Sequence, residues 1–469
     1  MLFPSEEFLW VFLPVVLILY YGVFRRSTLL KNIFLLIASL YFYAWGEPEY
    51  VFLMLIVILI NYFAGLTMDI FDDSPLLCRI VLALGIILDL AVLAYYKYSN
   101  FTVLQLNRFL HTDIPVPEIA LPIGISFFTF QAISYVVDVY RKKANAETNP
   151  LYVGLYISFF PQLIAGPIVR YSTIAEQIRE RKESFELFGR GVERFLRGLV
   201  KKVIIANNMA IVADAAFELI GADRYMGSVS MAWLGAISYT LQIFFDFSAY
   251  SDMAIGLGKM FGFEFNENFN YPYVAASVTG FWRRWHISLS SWLRDYVYIP
   301  MGGNRVRKGR LVFNLFIVWL LTGIWHGANW TFMVWGLFYF VILLIEKFTG
   351  LSKNEKWWGH IYTLVAVCLA WVIFRADNLG DAITYIKGMF FVGADCAADL
   401  STWAYIKQSL VYYIIAVLGS LPILPKLEEK YRDSKVWNIG YALILILASA
   451  AAVTYIVNKA YSPFIYFNF

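Results

Sequence analysis

The sequence predicts an all-α protein that crosses a membrane about 11–12 times, and three observations carry that expectation. Of its 469 residues, 60% are hydrophobic and 15% charged, against roughly 45–50% apolar and about 25% charged in soluble domains. Apolar runs recur from one end to the other with no polar linker long enough to divide them. Aromatic residues make up 19% of the chain, and Trp and Tyr favour the headgroup region of a bilayer. The same composition excludes other classes. A net charge of +4 is too small for a nucleic-acid binder. Three cysteines, Cys78, Cys368 and Cys396, and four histidines supply neither a disulfide framework nor a zinc site, so no metal is expected.

The first apolar run, Phe8 to Phe24, lacks a small-residue cleavage site and reads as a retained span. Further runs lie at 33–45, 49–70, 80–98 and 119–140. Arg25, Arg26 and Lys31 follow the first run, and Arg141, Lys142 and Lys143 follow the fifth. Basic loops face the cytoplasm, so four intervening crossings put the N-terminus outside. The stretch 150–169 carries Pro161, Gly166 and Pro167 and precedes a segment with nine basic and five acidic residues, Arg170 to Lys202. A full crossing there would break parity. A re-entrant or broken helix keeps it, and membranes tolerate one only where protein or a cavity covers the backbone. Runs at 203–221 and 229–250 return the chain to a basic loop, 283–310, whose one acidic residue is Asp295. Runs near 311–325, 331–345, 361–374, 411–424 and 437–457 follow and place the C-terminus outside. The expected organisation is one transmembrane domain, 1–469, in which 437–469 holds the last span and an extracytoplasmic aromatic tail.

No phosphate-binding loop, dinucleotide fingerprint or HExxH pattern occurs, so function rests on polar residues among the spans. Such residues are costly there and usually face a partner or a cavity. In "FFDFSAYSDMAIGLG", Asp246 and Asp252 bracket Ser248 and Tyr250. They either pair with arginines of the neighbouring loop or line a polar pathway. In "FWRRWHISLSSWLRDYVYIPMGGNR", Trp282, Trp285, Leu289, Trp292, Leu293 and Tyr296 share one face of an amphipathic interfacial helix. His286 lies just beyond that face, with Arg283 and Arg294 on the polar side; these two and Arg305 are the candidate ligands of an anionic donor. In "LLTGIWHGANWTF", His326 sits between short apolar runs among Gly323, Gly327, Ala328 and Asn329. Glycines there admit a close backbone or a substrate. His286 either hydrogen-bonds at the interface or sits at a cavity mouth beside cationic groups that favour an anionic donor, and His326 is either a helix–helix hydrogen bond or a catalyst; an imidazole of ordinary pKa accepts a proton at neutral pH, as a general base must. No serine or cysteine in a nucleophile-elbow context accompanies either one. The economical chemistry is activation of an alcohol against an activated acyl donor such as a thioester.

Five stretches, "LPIGISFFTFQAISYVVDVYR" (121–141), "FFPQLIAGPIVR" (159–170), "FFDFSAYSDMAIGLGKMFGFEFNENFNYPY" (244–273), "FWRRWHISLSSWLRDYVYIPMGGNR" (281–305) and "GIWHGANWTFMVWGLFY" (323–339), resemble the membrane-bound O-acyltransferase family. Within it they are similar to the branch that O-acetylates alginate. The resemblance implies spanning helices with shorter oblique and re-entrant ones around a central funnel and tunnel, lined here by Asp246, Ser248, Tyr250, Asp252 and Asn329. It makes His326 the catalytic histidine and places His286 at the family's second polar position. It implies no bound cofactor, with acetyl-CoA or an acyl carrier protein thioester as the cytoplasmic donor. It also implies a bacterial inner-membrane location, an extracytoplasmic partner of the SGNH hydrolase type, and a polysaccharide acceptor reached through that partner. The ending "YSPFIYFNF" resembles the aromatic terminus of alginate-acetylating relatives, with Asn468 in place of Gln, and makes Tyr466 an acyl-carrying relay; an interfacial aromatic anchor is the other reading. Two further functions stay open: a transporter of polysaccharide or lipid-linked sugar, and acylation of teichoic acid, peptidoglycan or a protein or lipid hydroxyl.

Overall fold

The computed structural model describes residues 1–222, 224–353, 355–463 and 465. Among them the chain is helical, with one isolated bridge between Ile220 and Tyr225 and no strand. It divides into two compact units, one of residues 1–195 and 252–266, the other of 196–251 and 267–469.

The first unit contains α1 (Glu7–Val23), α2 (Thr28–Ala44), α3 (Tyr50–Ile70), α4 (Pro75–Leu110), α5 (Ile125–Tyr140), α6 (Pro150–Ser158), α7 (Phe160–Leu163) and α8 (Tyr171–Arg179), and most of α9 (Phe185–Val200). Ser27 and Asn149 cap α2 and α6 by accepting from the backbone N–H groups of Leu30 and Leu151. The expected break in 150–169 falls at Phe159, whose extended ψ of 112° separates α6 from α7. Its freed polar groups are met inside the protein. The Phe160 N–H donates to Ser39 Oγ at 3.1 Å, and the Tyr156 hydroxyl reaches the carbonyls of Gln131 and Val169. Gly124, at φ 77°, passes so close to this segment that a Cβ would sit 2.8 Å from the Leu163 carbonyl.

The second unit holds α10 (Asn207–Phe217), most of α11 (Val229–Met260), α12 (Val278–Trp282), α13 (Ile287–Leu293), α14 (Lys308–His326), α15 (Trp330–Thr349), α16 (Trp357–Arg375), α17 (Leu379–Met389), α18 (Leu400–Gly419), α19 (Ile423–Lys430) and α20 (Lys435–Val457). The hairpin α14–α15 is its tightest pairing. A Cβ on Gly323 would lie 2.5 Å from the Phe332 carbonyl, so this glycine serves helix contact and not substrate approach.

Among the described residues, six helices are long and apolar enough to cross a membrane: α3, α4, α14, α15, α16 and α20. The pair α18–α19, bent by 62°, makes a seventh, and α1, α2 and α5 are shorter apolar helices. By length and apolar content alone, six or seven of the expected runs qualify as full spans, and the all-helical, multi-pass architecture is as expected. The run 203–221 is helical as far as Phe217, a π-wound segment, Lys201–Ala206, leading without a break into α10. Helix α11 is long enough, but Ser230, Ser238, Thr240, Gln242 and Asp246 dilute its apolar content.

Candidate active site

His326 is the last residue of α14, because Gly327 continues in an extended conformation and Asn329 starts α15 as its N-cap. Trp335 of α15 and Phe374 of α16 meet its ring edge to face at 4.9 and 5.1 Å, and Trp325 at 5.0 Å. The imidazole borders a small cavity with about 10 Å³ of room, the size of one water molecule, lined also by Ile243, Asp246, Phe247, Trp285, Trp371 and Ile465. Among those side chains Asp246 is the other ionisable one.

His286 occupies a bend. Its φ of 44° caps the start of α13, four residues after α12 ends at Trp282, so the single amphipathic helix expected through Trp282 and Tyr296 is broken. Trp282, Trp285, Leu289, Trp292 and Leu293 are all buried on either side of the bend. Trp285 stacks against Phe281 and lies 4.9 Å from Trp371. Glu346 of α15 fixes the entry to α12 by accepting from the N–H groups of Val278 and Thr279 at 2.6 and 2.8 Å, where a carboxylate also suits the helix dipole. The His286 Nδ1–H donates to Asn268 Oδ1 at 3.2 Å, which leaves the ring's lone pair on Nε2. Nε2 is buried and has no hydrogen-bond partner among the described residues. Burial pushes the His286 pKa down to about 3, so the ring is neutral. Phe247 and Trp325 connect the histidines: they meet the His286 ring at 4.6 and 5.9 Å, Phe247 lines the His326 cavity, and Trp325 touches His326.

The remaining expected pathway residues separate. Asp246 lines the His326 cavity and pairs with Lys202 at 2.6 Å, both buried. In the first unit, Asp252 pairs with Arg194 at 2.6 Å, which is the helix-locking reading. Ser248 and Tyr250 are buried on α11 and do not line this cavity. Asn329 accepts from the Thr331 N–H and donates to the Asp377 carbonyl at 2.7 Å, so both ends of its amide hold backbone. Tyr466 lies outside the described residues. Its neighbour Ile465 lines the cavity and donates its N–H to Asp246 Oδ2 at 3.2 Å.

A second, wider cavity of about 610 Å³ lies along α12–α15, with Arg283, Arg294 and Lys347 among polar and apolar walls that include Ser290, Ser291, Trp282 and Trp319. Arg294 is held side-on by Asp295 at 2.6 and 3.1 Å. Arg305 is exposed in the following turn and lines neither cavity. Trp282 separates the two spaces: it lies 5.6 Å from Trp335, which in turn packs on His326. Among the described residues no cluster of three or more His, Cys, Asp or Glu side chains is placed to hold a metal. Reading the sequence alone missed Lys202, Asn268 and Lys347. Lys202 was absorbed in the basic loop count, although the apolar VIIA that follows it marks the start of a buried turn.

Fold and site together define a multi-pass helical membrane protein with a buried histidine at the end of a spanning helix. The chain belongs to the MBOAT, membrane-bound O-acyltransferase family, whose pattern matches residues 84–377, and it is an O-acyltransferase. It is 40% identical over the full length of both chains to a probable alginate O-acetylase AlgI of Pseudomonas putida. It is 44% identical to the probable alginate O-acetylase AlgI of Pseudomonas aeruginosa, over 86% of this chain and 77% of that one. A peptidoglycan O-acetyltransferase of Helicobacter pylori is 32% identical over 100% of this chain and 98% of its own.

Proposed function

We propose that this enzyme takes an acetyl group from a cytoplasmic thioester, acetyl-CoA or an acyl carrier protein, and delivers it for O-acetylation of an extracytoplasmic polysaccharide of the alginate type. The supporting observation is the His326 cavity, a small aromatic chamber lined by one histidine, Asp246 and Ile465, which directly precedes Tyr466 in the sequence. Full-length identity to proteins named as alginate O-acetylases supports the acceptor class. On this reading His326 is the general base. It takes the Tyr466 phenol proton as the phenol oxygen attacks the thioester carbonyl; the carbon–sulfur bond breaks and the departing thiolate takes that proton from His326. A phenyl ester stays activated, so a serine of an extracytoplasmic SGNH-type partner accepts the acetyl group and the phenol is restored. The groove with Arg283, Arg294 and Lys347 receives the anionic donor, and the neutral His286 supports the aromatic wall and offers Nε2 as an acceptor. The protein sits in the bacterial inner membrane with both termini extracytoplasmic.

The test is a single-turnover assay of purified protein with labelled acetyl-CoA, followed by mass spectrometry of the C-terminal peptide. Wild type gains one acetyl group on that peptide and releases free thiol; Tyr466→Phe gains none and loses polysaccharide acetylation. Full activity in Tyr466→Phe sinks the relay. Acetylation of peptidoglycan in place of alginate, given each acceptor with its partner enzyme, moves the substrate to the second relative's class.

A further inference from the structure

Chain termini are usually poorly ordered unless something ties them down, and here three polar contacts engage residues 461, 463 and 465. The Tyr461 hydroxyl donates to Asp214 Oδ2 at 2.7 Å, and Arg375 holds the other oxygen of that carboxylate at 2.6 Å. Lys202 Nζ donates to the Pro463 carbonyl. The Ile465 N–H donates to Asp246 Oδ2 at 3.2 Å. Lys202 and Asp246 are themselves ion-paired at 2.6 Å, with side chains 4% and 2% exposed. Withdrawing two such charges from water is costly, and neutral packing of the same volume often does as well or better. A pair kept at that cost, with each partner spending remaining hydrogen-bond capacity on backbone of the last residues, has a use beyond joining helices. Lys202 is in the turn before α10 and Asp246 is in α11, so the contacts also span two elements of the same unit.

Both contacts grip main chain, a carbonyl at 463 and an N–H at 465. They therefore fix the register of the tail and not the identity of its side chains. Ile465, the residue so fixed, lines the cavity of His326, and Tyr466 is the next residue in the sequence. We propose that the buried Lys202–Asp246 pair is a latch that holds the C-terminal tail in register against the His326 cavity, making both side chains positioning residues for acyl transfer. This rests on the Tyr466 relay proposed above, but the latch is read independently of chemistry.

The experiment measures chymotryptic cleavage after residue 466 in full-length, detergent-solubilised protein, a bond whose cleavage a proline at 465 does not block, beside acetyl loading from acetyl-CoA. Ile465→Pro removes the N–H that Asp246 accepts and leaves the ion pair intact; Lys202→Met with Asp246→Asn removes both charges at similar volume. Each should speed loss of the tail by at least about tenfold, the scale of one hydrogen bond to a charged group, and lower acetyl loading in parallel. Ile465→Val, which keeps the N–H, should match wild type in both. Tyr466→Phe should keep the tail protected while losing loading. Wild-type protection in Ile465→Pro overturns the latch, as does rapid digestion of the wild-type tail. A released tail with loading lost in Ile465→Pro, beside full polysaccharide acetylation in Tyr466→Phe, keeps the latch and removes the relay.

Discussion

The two cavities of the second unit are built on opposite plans. Around His326, aromatic rings leave about 10 Å³ and one carboxylate; along α12–α15, three cationic side chains border about 610 Å³. The narrow space suits bond making, because a dry, fixed environment strengthens each polar interaction inside it. The wide one suits capture, because a basic groove raises the local concentration of an anion without needing a fixed pose. A single aromatic layer through Trp282 and Trp335 divides them. If the division of labour is real, substitutions in the first should act on turnover and substitutions in the second on donor affinity.

The largest expected effect is in the narrow cavity. His326→Ala should lower thiol release from acetyl-CoA by about 10²–10⁴-fold, the usual contribution of a general base. The protein should stay folded, since an interhelical hydrogen bond in a membrane contributes only about 0.6 kcal/mol on average. Size-exclusion and thermal unfolding profiles check the second part. An aggregated or degraded variant would assign His326 to structure and remove the distinction between the cavities.

In the groove, Arg283→Ala should raise the donor KM by about tenfold with kcat unchanged. Lys347→Ala should follow, and Arg294→Ala should come lower because Asp295 already engages that guanidinium. Donor KM in wild type should climb with added salt, as screening shortens the reach of the groove's charges. A fall in kcat without a change in KM in Arg283→Ala would transfer that residue to the chemical step.

How much of this was legible in the sequence differs between the cavities for a physical reason. His326 stood out because an ionisable residue in an apolar hairpin is rare, and Gly323 and Asn329 stood out only as its neighbours. What each neighbour does was not legible: Gly323 serves helix packing, and Asn329 holds backbone. The groove's Arg283 and Arg294 were visible as charges beside tryptophans, but Lys347, far along the chain at the end of α15, joins them only through the fold of α14 on α15. Periodicity misled at 282–296. It assumes one helix axis, and the left-handed turn at His286 changes the axis while keeping the same tryptophans buried.

His286 lies between the two plans and should have a smaller effect. His286→Asn should lower turnover by a few-fold, on the order of one buried hydrogen bond, without altering the pH–rate profile. With a pKa near 3, the ring gains its proton only below that value and stays neutral from pH 5 to pH 8. An acid limb in that window that disappears in His286→Asn would show that the ring titrates during turnover.

The smallest effect belongs to Arg305, which sharpens the comparison by marking the groove's edge. It was expected among the donor ligands because it shares the basic loop 283–310, but the chain turns at Gly302 and Gly303, both at positive φ, and leaves its side chain exposed and outside the lining. A charge so placed acts only through solvent. At 0.15 M ionic strength the screening length is about 8 Å, so Arg305→Ala should change donor KM by less than about twofold, a solvent-screened charge effect. At about 0.01 M, where that length grows to about 30 Å, the same variant should slow donor association measurably. Stopped-flow capture of a fluorescent coenzyme A thioester at both salt concentrations reads the difference. A tenfold loss at 0.15 M, equal to that of Arg283→Ala, would mean that the donor extends past the groove onto the 301–307 turn, and the boundary drawn by the lining residues would have to move with it.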